Sequence, residues 1–349
     1  MHMSQKGEAF QAFLVGAKSF LMDTVYPKAR DAVADATAKT KNKEGAVDAL
    51  RADADYGYFC WLEHYIQHYK YNARFGLAAE AEGQRDELVK QLKAIDARHD
   101  VDAEVKVPEY YSVIDIHQHP GNLHVDILAG HIYKASAAST QPGSTNAYGL
   151  HYKFTDVIQQ YADNPTSVLD LACGFGKSAL PLAQRWPDAK VEGIDISEGC
   201  LRLAAVEAEE NGLDNLSYTR ADVASTGKPA ESYDLVTSTM LLHELDTDAV
   251  KASMKEAYRV LTPGGALVQL DFRARNPVEA FFLHGHGQRN NEPYMAAFDE
   301  LDFKEYLESI GFTDIEIKPF EESPGATSEA FPKWRLPWTV ISARKAAAA

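Results

Sequence analysis

Positive charge is what this chain is shortest of. Against 51 aspartates and glutamates stand 35 lysines and arginines, a formal net charge of −16. No Lys/Arg-rich run and no interleaving of basic and aromatic residues makes up for it. Proteins that bind nucleic acid or other polyanions usually present a basic face, so no nucleic-acid partner is expected. Cysteine is also scarce. Cys60, Cys173 and Cys200 are scattered, without the paired spacing of a disulfide framework, which points to a reducing, cytoplasmic compartment. No apolar stretch approaches the ~18 residues of a membrane span, and no membrane partner is expected. The run from Phe10 to Phe20 is broken by Gln11, Gly16 and Lys18, so it does not read as a secretory signal. What the chain does have is length: 349 residues are enough for two domains.

The most informative stretch runs from Val168 to Leu180. The apolar residues Val168 to Ala172 read as a buried strand that ends in a loop with Gly174 and Gly176. Ser178 is placed to cap the helix that follows. Two glycines there let the backbone approach a ligand closely. Gly174-x-Gly176-x-x-Ala179 matches the dinucleotide fingerprint formally, which by itself is weak. Asp170, four residues ahead of Gly174, sharpens it: an acid there would repel a pyrophosphate and suit a cationic ligand. Further strand-like segments follow in order. Val191–Ile196 ends in Asp195, 21 residues after Gly174 and close to the ~20-residue spacing at which an acid meets ribose hydroxyls. Leu216–Val223 carries Asp222 just past its end. Ser232–Met240 runs into a loop with His243 and Glu244. Arg259–Asp271 reads as a helix end, a tight turn at Gly264-Gly265 and a fifth strand.

With these motifs in order, the segment from about 150 to 345 resembles the class I S-adenosylmethionine-dependent methyltransferases, the broad type that includes quinone C-methylases and small-molecule O-methyltransferases. The resemblance implies an α/β fold: a Rossmann-like, doubly wound, seven-stranded methyltransferase core. Its last strands would be Asp314–Lys318 and Trp338–Arg344, one of them antiparallel. It implies S-adenosyl-L-methionine as cofactor and S-adenosyl-L-homocysteine as product. Asp170, with the backbone around Ala172, Gly174 and Gly176, would hold the methionine part. Asp195 would take the ribose hydroxyls, Ile196 would pack on the adenine, and Asp222 with Val223 would meet its amino group. Thr239 would stand where the fourth strand opens toward the methyl group.

The chain divides on this reading into a helical N-terminal domain (1–107), a connecting segment (108–150) and the cofactor-binding domain (151–349). In the first, Phe10, Phe13, Leu14, Ala17, Phe20 and Leu21 recur at helical spacing, and Glu80 to Arg98 reads as one amphipathic helix. Two roles compete for this α-helical unit: a lid over the substrate, or the contact surface of a homodimer. His64 and His68, four apart, form a metal-like pair, but no third ligand accompanies them, so no metal is assigned. The connecting segment reads as a long irregular loop rich in aromatics and histidines, more functional than disordered. Within it His117-x-His119 is a second weak pair. Tyr133 and Tyr148 there, and His151 and Tyr152 just beyond, are candidates for the pocket wall.

Methyl transfer is an in-line displacement, so most of the task is to place the acceptor. An oxygen or carbon acceptor must also lose a proton, for which His243 with Glu244 is the candidate base pair; a thioether sulfur has none to lose. Arg273, His284, His286, Asn291 and Tyr294 follow the fifth strand, where a substrate cap is expected, and Arg273 would pair with a carboxylate. The expected activity is methylation of a small molecule at O, C or S. Narrower alternatives are S-methylation of a methylthio-hydroxy acid in dimethylsulfoniopropionate synthesis, and iron-assisted C-methylation of a keto acid through His243, Glu244 and His284 or His286. A rival of another class is a NAD-dependent dehydrogenase.

Overall fold

The structure, a computed structural model, describes residues 1–40, 42–138, 148–328 and 332–347. Seven strands form one sheet: β1 (Ser167–Leu171), β2 (Lys190–Asp195), β3 (Leu216–Arg220), β4 (Tyr233–Thr239), β5 (Leu261–Phe272), β6 (Phe312–Pro319) and β7 (Trp338–Lys345). Their spatial order is β3-β2-β1-β4-β5-β7-β6. The first five are parallel, and β7 runs antiparallel to both β5 and β6. An all-parallel dinucleotide fold has its sixth strand in that place, so the sheet counts against the dehydrogenase reading. Both faces are buried, as a parallel sheet requires. In β1, Val168 packs on one face with Phe154, Leu180 and Leu201, whereas Leu169 and Leu171 pack on the other with Met254 and Phe303.

Every parallel strand delivers its C-terminal end to the same edge of the sheet, which puts Asp170, Asp195, Asp222 and the β4 loop side by side. Two residues there, Ala172 at the end of β1 and Met240 at the end of β4, take left-handed backbone angles of φ 53° and 58°. Non-glycine residues held there are strained, and such strain gathers at functional sites.

The N-terminal helices are not a free-standing unit. Leu14, Leu21, Tyr26, Val33 and Phe59 share one core with Phe281, Phe282 and Trp334. Tyr71, Leu77, Leu88 and Leu92 share another with Leu128, Phe175 and Leu203. Several expectations fail locally. In the helix Gln5–Phe20, Leu14 is buried but Phe13 is 60% exposed, and Phe20 is 44% exposed. The expected 80–98 helix is two, Leu77–Glu82 and Arg85–Leu92, parted at Gly83. Of the irregular 108–150 connection, Ala129–Ala138 is helical, and 139–147 lies outside the described residues. Among the described residues no helix is long and apolar enough to cross a membrane.

Candidate active site

The cofactor side is built from the strand ends. Ala172, Gly174, Asp195, Ile196, Asp222 and Val223 line one cavity, together with Lys177, Met240 and Glu244. Asp195 braces the loop as well as facing the cavity, accepting from Gly174 N (2.9 Å) and Ser197 N (2.8 Å). Pro108, Tyr110, Tyr111 and Leu123 of the connecting segment cover it. Tyr294 steadies that cover by donating to the Tyr110 carbonyl (2.8 Å). Asp222 also accepts from Ala224 N (2.8 Å).

Three assigned cofactor residues lie elsewhere. Asp170 is fully buried behind the wall. Its Oδ2 accepts from Ser178 Oγ (2.5 Å), so Ser178 makes no cap, and its Oδ1 has no partner. Burial pushes the Asp170 carboxyl up to about 7, against the Ser178 hydrogen bond and the Lys177 charge. Gly176, at φ 80°, is a packing residue: a Cβ there would stand 2.5 Å from Tyr218 Oη. Thr239 is buried with its hydroxyl unpartnered and does not line the cavity; its neighbour Met240 does.

A second cavity of about 150 Å³ backs onto the first and shares Tyr133, Lys177, Met240 and Glu244 with it. His117, His151, His243, His286 and Glu292 line its polar side. Three segments of the chain meet at the Glu292 carboxylate. His117 Nδ1 donates to it (3.0 Å), and its other ring nitrogen donates to Glu244 (2.9 Å). His243 Nε2 and His286 Nε2 each stand 3.6 Å away. Burial would lower the His117 pKa, but the Glu292 charge and the two carboxylate hydrogen bonds push it up to about 10. Burial would raise the pKa of Glu292; His117 and its neighbours hold it down to about 2.

His243 is fixed from the other side. Its Nδ1 donates to Asp271 Oδ1 (2.7 Å), while Asp271 Oδ2 accepts from Leu241 N and Leu242 N. Asp271, near the C-terminal end of β5, thereby sets both the β4 loop and the His243 ring. Burial would lower the His243 pKa, yet the Asp271 charge and hydrogen bond, with Glu292, raise it above the ordinary imidazole value.

Of the other assigned substrate residues, Tyr133, His151 and His286 face this cavity. The rest do not. Arg273 is spent on the Phe298 and Leu301 carbonyls (3.0 and 2.9 Å), so no carboxylate finds it free. His284 takes a hydrogen bond from Lys43 and gives one to Asp299, both 2.8 Å, so the His243–Glu244–His284 iron set is not assembled. Tyr148 pairs with Glu207, Tyr152 with Gln184, and Asn291 with the Asp115 carbonyl. His64 Nδ1 donates to the Arg289 carbonyl (2.9 Å), while His119 lies buried against Tyr71, so neither histidine pair gathers ligands. Among the described residues no group of three or more His, Cys, Asp or Glu is arranged for a metal ion.

A sheet of this order, with Asp195 and Asp222 at successive strand ends, is the arrangement of a class I methyltransferase domain. Residues 168–265 match the family model described as a methyltransferase domain. Demethylmenaquinone methyltransferase of Thermus thermophilus is 40% identical over 108 residues, 31% of this chain and 48% of that protein. Nocamycin O-methyltransferase of Saccharothrix syringae is 38% identical over 104 residues, 29% of this chain and 35% of that one. The chain thus spans about half the length or less of these curated relatives. Phosphoethanolamine N-methyltransferase 2 of Haemonchus contortus, solved with S-adenosyl-L-methionine, is 15% identical with a TM-score of 0.45, over 61% of this chain and 60% of its own.

Proposed function

We propose that the protein is an S-adenosyl-L-methionine-dependent methyltransferase acting on a small molecule. The observation that carries this reading is the pair of cavities joined at Tyr133, Lys177, Met240 and Glu244. The first fits a cationic nucleoside: Asp195, Asp222 and Glu244 stand on its wall, and the partnerless Asp170 oxygen lies behind it. The cofactor, when bound, supplies an electrophilic methyl group on a sulfonium. Asp195 would hold the ribose hydroxyls, Ile196 and Val223 would flank the adenine, and Asp222 would accept from its amino group. Lys177 offers its charge to the methionine carboxylate.

The second cavity presents the acceptor to that methyl. Reacting atoms have to be held ~3 Å apart and in line, which the closed walls around Met240 favour. Glu244 is the carboxylate that lines both cavities, and it is placed to take a proton from an oxygen or carbon acceptor. One narrower reading has support. A thioether sulfur needs no base, and His117, bonded to both Glu244 and Glu292, is held in its protonated form with a pKa pushed up to about 10, while Asp271 raises that of His243.

Transfer of radiolabel from the methyl group of S-adenosyl-L-methionine into a small-molecule pool tests the function. Glu244→Gln then separates the acceptors. Loss of turnover of order 10²-fold marks a proton-losing acceptor, and near-normal turnover marks sulfur.

A further inference from the structure

Two lysines at the acceptor cavity stand apart from every other cation around it. Lys18 comes from the helix Gln5–Phe20 and Lys70 is the last residue of the helix Ala54–Lys70. Both line the acceptor cavity, and both also line a larger outer chamber of about 530 Å³. They therefore mark the boundary between the two spaces. Lys70 is only 5% exposed, with its ammonium 5.7 Å from the centre of the Tyr71 ring.

A buried ammonium is costly unless it is paired, so its usual companion is a carboxylate. Arg289 pairs with Glu63 and Lys134 with Glu207, while Lys177 donates to the Tyr133 hydroxyl. Among the described residues neither Lys18 nor Lys70 has a hydrogen bond or an ion pair through its ammonium group. The nearby carboxylates are already engaged. Glu63 is taken by His286 and Arg289, and Glu292 by His117. Burial and the like charge of Lys18 draw Lys70 down to about 7 against the pull of Glu292, and burial draws Lys18 down to about 8 against the pull of Glu63. Two unpaired ammonium groups side by side in one cavity mouth form a site that a negative charge would relieve.

Resting on the methyltransferase reading, we propose that the acceptor is a small organic carboxylate. Its charged group sits between Lys18 and Lys70, and its other end reaches Met240 and Glu244. Between the two ends the wall is apolar, through Leu150, Phe272, Leu336 and Trp338. A short hydrocarbon body fits that stretch. The N-terminal helices supply both lysines, so they bring specificity as well as cover.

The test is calorimetric titration of the full chain, saturated with S-adenosyl-L-homocysteine, with butanoate and benzoate against butanamide and benzamide. The carboxylates are expected to bind at least about tenfold tighter than their amides. In the Lys18→Met, Lys70→Met double variant that preference falls to about one, while S-adenosyl-L-homocysteine affinity is unchanged; Lys70→Arg restores part of it. Amides binding as tightly, no carboxylate binding at all, or a preference that survives in the double variant would overturn the proposal. Inorganic phosphate displacing every carboxylate would overturn the carboxylate assignment. Failure of S-adenosyl-L-homocysteine to bind would instead remove the reading beneath it.

Discussion

At the scale of single residues, the site works by setting proton positions. Asp170 is the clearest case. Its carboxyl is raised to about 7 by burial, and a cation docking in front of the glycine loop favours the ionised form. Binding therefore expels a proton from whichever fraction still carries one. Affinity for S-adenosyl-L-methionine, which carries the sulfonium, should weaken below about pH 7, by up to tenfold per unit. Titrations in buffers of different ionisation heat should show the released proton, and Asp170→Asn should abolish it. An affinity flat from mildly acid to mildly basic pH would contradict this. Glu292 and His117 make a stability prediction. The folded Glu292 pKa lies below its ordinary 4.5, so its contribution is present above about 4.5 and is lost as pH falls toward about 2. The folded His117 pKa lies above its ordinary 6.5, so its contribution is full below about 6.5 and fades as pH rises toward about 10. Denaturant midpoints should thus fall on both sides of that window, and Glu292→Gln should flatten both limbs. The sequence foretold little of this pair. Glu292 belongs to none of the motifs read from the sequence, and His117 is half of a weak metal pair. They meet across 175 positions because Asn291, at φ 59°, turns the chain back into the site, which no local pattern announces.

At the scale of elements, the glycine loop and strand ends were legible, and for a physical reason. The β1 strand, its loop and the acids of β2 and β3 lie within short segments whose apolar runs and spacing are local facts. The structure adds that the two glycines differ. Gly174 is on the cavity wall, whereas Gly176 lets the loop close onto Tyr218. Gly176→Ala should destabilise by about 2 kcal/mol through overpacking and its positive φ. Tyr218 Oη is buried without a partner, so Tyr218→Phe should lie within ~1 kcal/mol of wild type. In combination it should recover part of the Gly176→Ala loss, because the clashing oxygen is gone. Urea denaturation of the four proteins reads this directly, and an additive double variant would sink it. The inserts after β5 were misread for the opposite reason. Arg273 and His284 look like pocket residues in sequence, but Phe298, Leu301 and Asp299 of the next helix capture them first.

At the scale of the molecule, the N-terminal helices complete the site rather than decorate it. Their cores continue into Phe281, Phe282, Trp334 and Phe175, and Glu63 clasps His286 and Arg289 from across the interface. Helical periodicity announced the helices but could not tell a lid from a dimer face, since both roles need one apolar stripe. Removing residues 1–92 should expose those aromatics and leave a chain that aggregates. A soluble fragment with one cooperative transition would show the helices to be dispensable. Calorimetry of the full chain tests most directly whether the strand-end carboxylates seat the cofactor's nucleoside. One S-adenosyl-L-homocysteine should bind per chain with micromolar affinity, Asp195→Ala should weaken it by about tenfold or more, and NAD should give no heat. Saturable NAD binding with no response to S-adenosyl-L-homocysteine would contradict the account.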